Sequence, residues 1–530
     1  MGAFDYVGGL SPRRSGFNLP ERKICDFDMG DIIPVYCRMA IPGDVWKFNF
    51  SAVLRAMPMV APTFTSIDCS VYAFFVPFRL LWSKWDKFCT GGKDGNFNEL
   101  PPHGFTINFE KYSLGDYFGF PVGSNIGADT SKTLLRSAFP FFAYNLIYNT
   151  YWRDENIDLE RVDCGDVYEF DSTTVQSTGT YNIAKSRWRK DYFTSALPFQ
   201  ERGTPPAMFF SNAPVIFTNH FAAQTSGSSA PIIGYDTSGQ SPTGSMFGYN
   251  GSGKILTFKD RDGEVPFSAN NLSGVADLSG VGFTTNDLRL LTQVQKFLER
   301  NARGGYRYNE WLLAHYGVAP RDETLQRPQF LGGAHFPVII SEVLQTSASS
   351  SDSALGNYAG HGMGVSRNHL FKFHAKEFGV IMVQLTLRPR RDYIPQGFPR
   401  EWLFQSRYDL PLPEFVGLSE QPVYEREIFA KVGQESSDVP FGYQGRFNEY
   451  RTSFNKVVGG LRDTYKYWTF ADKFSSAPGL NSQFLECNPT RDPFAVQSSD
   501  VKTWWLDFRS EVKAYRPLPY VAEPGYMDHF

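Results

Sequence analysis

A chain of 530 residues and 60.0 kDa with a formal net charge of -3 is not built to neutralise phosphates over its whole surface, so any nucleic-acid contact has to be local. Charged residues are 20% and aromatics 16%, with 48 Phe and 27 Tyr, and so much flat apolar surface needs a large core or partner surfaces. No apolar run approaches the ~18 residues of a membrane-spanning helix, no export signal is expected at the start, and the cysteines at 25, 37, 69, 89, 164 and 487 lack CxxC or zinc-ligand spacing, which predicts free thiols.

Residues 1–30 read as a polar, glycine-containing arm, with Arg13 and Arg14 as a candidate DNA contact. Period-two alternation begins at Ile33, Val35, Cys37 and Met39, resumes at Trp46, Phe48 and Phe50 after Pro42-Gly43-Asp44, and returns at Ile67, Cys69, Val71 and Ala73. Each predicts a strand with one buried face. The runs Phe74-Phe75 and Phe139 to Phe142 predict core or interface filling. Lys185-Ser186-Arg187-Trp188-Arg189-Lys190 interleaves cations with an aromatic, a pattern suited to single-stranded nucleic acid: Lys185, Arg187, Arg189 and Lys190 would meet phosphates while Trp188 stacks on a base. A subunit interface or a basic surface is the competing reading.

From Gly203 to Gly282 the chain makes its largest excursion, with no Asp, Glu, Lys or Arg from Gly203 to Tyr235. The β-prone runs Val215 to Phe217, Pro231 to Ile233 and Lys254 to Phe258 predict order gained on assembly. Then Leu288, Leu291, Val294, Phe297 and Leu298 recur at helical spacing, predicting an amphipathic helix that ends at Gly304-Gly305, followed by a short helix from Tyr308 to Tyr316 closed by Gly317. Gln345 to Gly364, with its GHGMG core, reads as a flexible surface loop. Strands return at Phe378 to Leu387, with Arg388, Arg390 and Arg391 as further candidate contacts, and at Trp504 to Lys513. Strands at both ends with long excursions between them suit a two-sheet sandwich.

Catalytic motifs are absent: there is no HExxH, GxSxG or P-loop, and the histidines are scattered. No enzyme, metal site or cofactor is expected, and Asp154-Glu155 and Asp260 with Asp262 read as surface charge rather than a glycosidase pair.

The wording of the chain carries more than its spacing. NDLRL, QKFLERNARGGYRY and HYGV between Asn286 and Val318 resemble the major capsid proteins of the Microviridae, the small single-stranded-DNA phages, in their gokushovirus-like branch. DIIPVYCRMAIPGD (from Asp31), YAFFVPFRLLWSKWDKF (from Tyr72), YNLIYNTYWRDEN (from Tyr144), KDYFTSALPF (from Lys190), LQRPQFLGG (from Leu325), FGYQGRFNEYR (from Phe441) and the terminal DHF add to the resemblance. It implies a mainly β fold, a viral jelly-roll sandwich with long insertions containing a few helices. The implied domains are an arm (1–30), a discontinuous jelly roll (31–202 and 283–530) and a surface insertion (203–282) protruding at the threefold axis. It implies a homo-oligomer, a sixty-copy T=1 shell around a circular single-stranded DNA genome. It also implies partners: a small basic DNA-packaging protein, a minor or pilot protein, a scaffolding protein and a bacterial host receptor, with assembly in the host cytoplasm. A β-sandwich carbohydrate-binding protein or adhesin is the alternative that the Trp and Tyr content allows.

Overall fold

The computed structural model describes residues 13–104, 109–122, 136–164, 182–204, 206, five short strands between 215 and 276, and residues 285–305, 307–344, 358–431, 433 and 438–521. The chain divides into two compact units, 1–202 with 299–530, and 203–298.

The larger unit is built on nine strands: β1 (Ser15–Asn18), β2 (Glu21–Phe27), β3 (Ile33–Ala40), β4 (Val45–Ala56), β5 (Ile67–Pro77), β6 (Gln329–Leu344), β7 (Tyr358–His374), β8 (Gly379–Pro389) and β9 (Trp504–Arg516). They hydrogen-bond in the order β1-β9-β4-β7-β6-β5-β8-β3, with β2 on the same edge of β9 as β1. Every pairing is antiparallel. The long β6 joins two halves: Gln329 to Val338 pair with β5, and Ile339 to Leu344 with β7. From β2 onward the first strand pairs with the last, the second with the next to last, and so inward: β2 with β9, β3 with β8, β4 with β7, β5 with β6. Antiparallel pairing of this nested kind gives each half a buried and an outward face.

The two halves pack face to face, as the alternation predicts. Trp46, Phe48, Phe50, Ala52 and Leu54 of β4 are buried with Val71, Ala73 and Phe75 of β5, Ile381 and Val383 of β8, and Trp504, Leu506 and Phe508 of β9. Rings meet across the layers, Tyr36 with Phe48 at 5.0 Å and Phe75 with Phe373 at 4.8 Å between centroids. Edge and offset contacts of this kind add to the area they bury.

The outward face of the β3-β8-β5 half is covered by a second core. Helix α1 (Phe139–Ile147) lays Phe141, Phe142 and Tyr144 against Phe74 and Val76 of β5 and Val380 and Met382 of β8. Pro140 is tolerated because it stands in the first turn, where amides have no partner to lose. Tyr144 Oη donates to the Ile32 carbonyl at 2.7 Å, satisfying the phenol inside the core.

The arm predicted for residues 1–30 is strand from Ser15 on, since β1 and β2 run along β9. The loop predicted for Gln345 to Gly364 is likewise strand from Tyr358, and Gly360, Gly362 and Gly364 occupy successive inward positions. A Cβ on Gly360 would stand 2.7 Å from the Ala61 carbonyl, and one on Gly362 or Gly364 would crowd the side chains of Ala56 or Val338, so the glycines serve close packing rather than mobility. Residues 345–357 lie outside those described.

Helix α2 (Thr285–Gly304) and helix α3 (Tyr308–Tyr316) fall where periodicity places them, with Gly305 and Gly317 at φ of 85° and 69°. The predicted apolar face of α2 is only half covered, and Ala302 is its buried residue. In the smaller unit Val215–Phe217 pairs with Gly274–Ala276, and Leu256–Asp260 with Met246–Tyr249 and Gly263–Val265. Pro231 to Ile233 lie outside the described residues.

Candidate nucleic-acid interface

The basic segment from Lys185 to Lys190 threads between two distant parts of the chain. The Ile32 amide donates to the Ala184 carbonyl, the Ser186 amide to Gly30, and on the other side the Cys487 amide donates to Ser186 and the Trp188 amide to Leu485, at 2.7 to 3.0 Å. This inserted strand points Lys185 and Arg187 at carboxylates that the fold already holds. Lys185 pairs with Asp31 at 2.7 Å. Arg187 reaches Asp158 at 2.6 Å, Glu486 at 3.1 Å and the Tyr148 hydroxyl at 2.8 Å. Burial alone would lower the Arg187 pKa, but Tyr148, Asp158 and Glu486 outweigh it and raise it.

Trp188 is 5% exposed, with the Arg391 guanidinium 5.1 Å from its ring centre. A ring so enclosed offers no face to a base, so the predicted stacking role has no geometric support here. Arg189 and Lys190 are exposed, yet each meets a carboxylate of the same chain, Asp68 at 2.9 Å and Asp154 at 2.6 Å. Within this segment Lys185 and Arg187 pair inward, while Arg189 and Lys190 stay at the surface beside their carboxylates. Arg391, another candidate, is buried against Asp472 at 2.8 Å and the Phe484 ring. Arg388 lies 5.8 Å from the Trp152 ring and donates to the Arg187 carbonyl, and Arg390 is exposed. Arg13 and Arg14 lie exposed just before β1, with Arg14 close to Gly43.

Beside this segment a cleft of about 560 Å³ opens between Tyr72, Trp152, Trp188, Phe330 and Arg388. Its aromatic walls pack on one another, Tyr72 against Trp152 edge to face at 5.5 Å. Among the described residues no group of three or more His, Cys, Asp or Glu side chains could hold a metal ion. Asp154 accepts from Lys190 and Glu155 lies 3.6 Å from Arg307, so both serve ion pairs. Asp262 and the side chain of Asp260 lie outside the described residues. All six cysteines are unpaired, and burial pushes the Cys37 and Cys487 thiols up to about 12.

The nested antiparallel sandwich gives the fold, and comparison with known proteins gives the family. The family model for the capsid protein (F protein) of phages matches residues 7–526. The chain belongs to the phage capsid protein family. It is 30% identical to capsid protein VP1 of Chlamydia phage 1 over 98% of this chain and 97% of the relative. It is 30% identical to VP1 of Bdellovibrio phage phiMH2K over 100% and 98%, and 29% identical to VP1 of Spiroplasma virus 4 over 98% and 97%. A capsid protein acts as one of many copies in a shell, which places it in the virion. Among the described residues no helix is long and apolar enough to cross a membrane.

Sequence reasoning missed the ion pairs that lock the capsid protein's chain ends together. Asp28 accepts from Arg491 at 2.8 Å and from Lys502 at 3.0 Å, partners more than 460 residues away that no local pattern could have paired.

Proposed function

We propose that this capsid protein is the major, shell-forming subunit of a sixty-copy T=1 particle that encloses circular single-stranded DNA, and that its fold is the viral jelly roll. The nested pairing of the eight strands from β2 to β9, in the orders β2-β9-β4-β7 and β3-β8-β5-β6, is the observation that carries the jelly-roll reading. Its role is structural rather than enzymatic. The 203–282 insertion would be the outward protrusion that meets a bacterial receptor, and assembly in the host cytoplasm would draw on a scaffolding protein, a small basic packaging protein and a minor or pilot protein. Of the predicted genome contacts, Arg13, Arg14, Arg189, Lys190 and Arg390 are the ones we take forward, because their side chains are exposed. Lys185, Arg187 and Trp188 serve the fold.

Sedimentation and electron microscopy of the purified chain, with and without circular single-stranded DNA and with the scaffold supplied, test this reading. Closed shells of sixty subunits are the expected result; a monomer under all of these conditions would refute it.

A further inference from the structure

One face of the sandwich is covered and, among the described residues, the other is largely open. Helix α1 and its neighbours bury the outward side of β3-β8-β5, while on β2-β9-β4-β7 the residues alternating with the core are exposed or half exposed. The register sets these outward residues in rows across the strands. One row is Lys513 of β9, Lys47 of β4 and Lys372 of β7, directly opposite one another. Four residues along, beyond the row of Glu511, Asn49 and His369, Arg22, Arg509, Ser51 and Arg367 form another. At one end Arg55 lies between Trp505 and Met363.

The charge on this face opposes that of the chain. Seven cations, Arg22, Lys47, Arg55, Arg367, Lys372, Arg509 and Lys513, share it with three carboxylates, Asp26, Asp507 and Glu511, on a chain whose net charge is -3. Two of those carboxylates are committed: Asp507 binds Arg22 at 2.8 Å and Arg509 at 3.0 Å, and Glu511 binds Arg367 at 3.1 Å. Among the described residues no carboxylate pairs with Lys47, Lys372, Lys513 or Arg55. Like charges opposite one another across strands destabilise a sheet, so a lysine row kept at that cost calls for an anion. Trp505 is 45% exposed and Tyr515 47%, one at each end of the rows.

We propose that the β2-β9-β4-β7 face is the genome-contacting surface of the capsid protein, with Lys47, Lys372 and Lys513 meeting the phosphates of single-stranded DNA and Trp505 stacking on a base. Mobile ammonium groups beside aromatic rings on an extended sheet bind single strands with little sequence preference. Flat aromatic rings flanking the cations favour nucleic acid over an acidic protein segment, which would use the cations alone. The assignment rests on the reading of the chain as the coat of a single-stranded DNA particle.

The test compares the full-length chain with a K47Q/K372Q/K513Q variant, using fluorescent oligodeoxythymidine as the probe across a salt series. The expected result is weaker binding with a log-log salt slope shallower by about 2, the loss of three phosphate contacts on a single strand, and an undiminished melting temperature because repulsion is relieved. Trp505→Ala should weaken binding without changing the slope. An unchanged slope and affinity in the triple variant, with wild-type shells forming around DNA, would overturn the face assignment and leave the capsid reading standing. Stronger competition by polyglutamate than by unlabelled DNA at equal charge would reassign the face to an acidic protein. Failure of the wild-type chain to form DNA-containing shells with its scaffold would sink both.

Discussion

At the scale of single residues, buried charge in this protein is used to fasten segments far apart in sequence. Arg187 and Asp158 keep side-chain exposures of 11% and 3%, and such a pair is costly to desolvate and more costly to break. Asp28 shows the same device with a pH signature. Its carboxylate takes Arg491 and Lys502 on one oxygen and the amide and hydroxyl of Thr503 on the other, holding residues 491–503 to the corner between β2 and β3. Burial would raise its pKa, but Lys502, Arg491 and Lys185 prevail and hold it below the ordinary 3.8. A carboxylate depressed in the folded state contributes stability that is present above the unfolded value and disappears as pH falls through the folded one. Asp28→Asn should therefore cost about 1.5–3 kcal/mol at pH 7, the scale of hydrogen bonds to a charged group. The deficit should shrink once the pH falls below 3.8, which urea midpoints for both proteins at pH 7 and pH 3 would reveal.

At the scale of elements, the alternating strands were legible because every second residue enters the sandwich core: β4, β5, β8 and β9 lie where period-two patterning puts them, although β8 is buried on its other side too. In β3, by contrast, a register irregularity beside Pro34 buries Tyr36 and Ala40 and leaves Met39, expected on the buried face, 47% exposed. Helices α2 and α3 were legible with their glycine stops. What patterning hid was β7, where Gly360, Gly362 and Gly364 replace inward apolar side chains, so the hydrophobic signal vanishes where packing is tightest. In the basic segment, composition records that cations are present and not which carboxylates they face. The lysine row escaped notice because its members come from β4, β7 and β9 and meet only through register. The glycine argument is testable. At Gly360 an added Cβ meets backbone only, the Ala61 carbonyl at 2.7 Å and the Pro62 Cα at 3.0 Å, whereas at Gly364 it meets the Val338 methyl at 3.2 Å. Gly360→Ala should lose about 1–3 kcal/mol by overpacking, and Gly364→Ala less because a side chain can shift; equal losses in urea unfolding would refute the close-approach account.

At the scale of the whole molecule, the sandwich draws on both ends of the chain, and the excursions between strands carry what is not sandwich. Residues 1–202 and 299–530 make one compact unit without residues 203–298. Among the described residues the short strands of the smaller unit pair with each other, Val215–Phe217 with Gly274–Ala276 and Leu256–Asp260 with its two neighbours. Among the described residues the ladders of the sandwich are built from strands of the larger unit, and long surface excursions are entropically tolerable because closure cost grows slowly with length. Replacing residues 203–282 with a short glycine-serine linker should leave the core unit folded, with a melting temperature within a few degrees of the parent, and still able to enter shells. If the insertion is the receptor-facing protrusion, shells made of the shortened chain will package DNA normally but adsorb poorly to the host. The two readouts separate the possibilities: lost assembly would make the insertion part of the subunit contacts, and normal adsorption would remove it from host recognition.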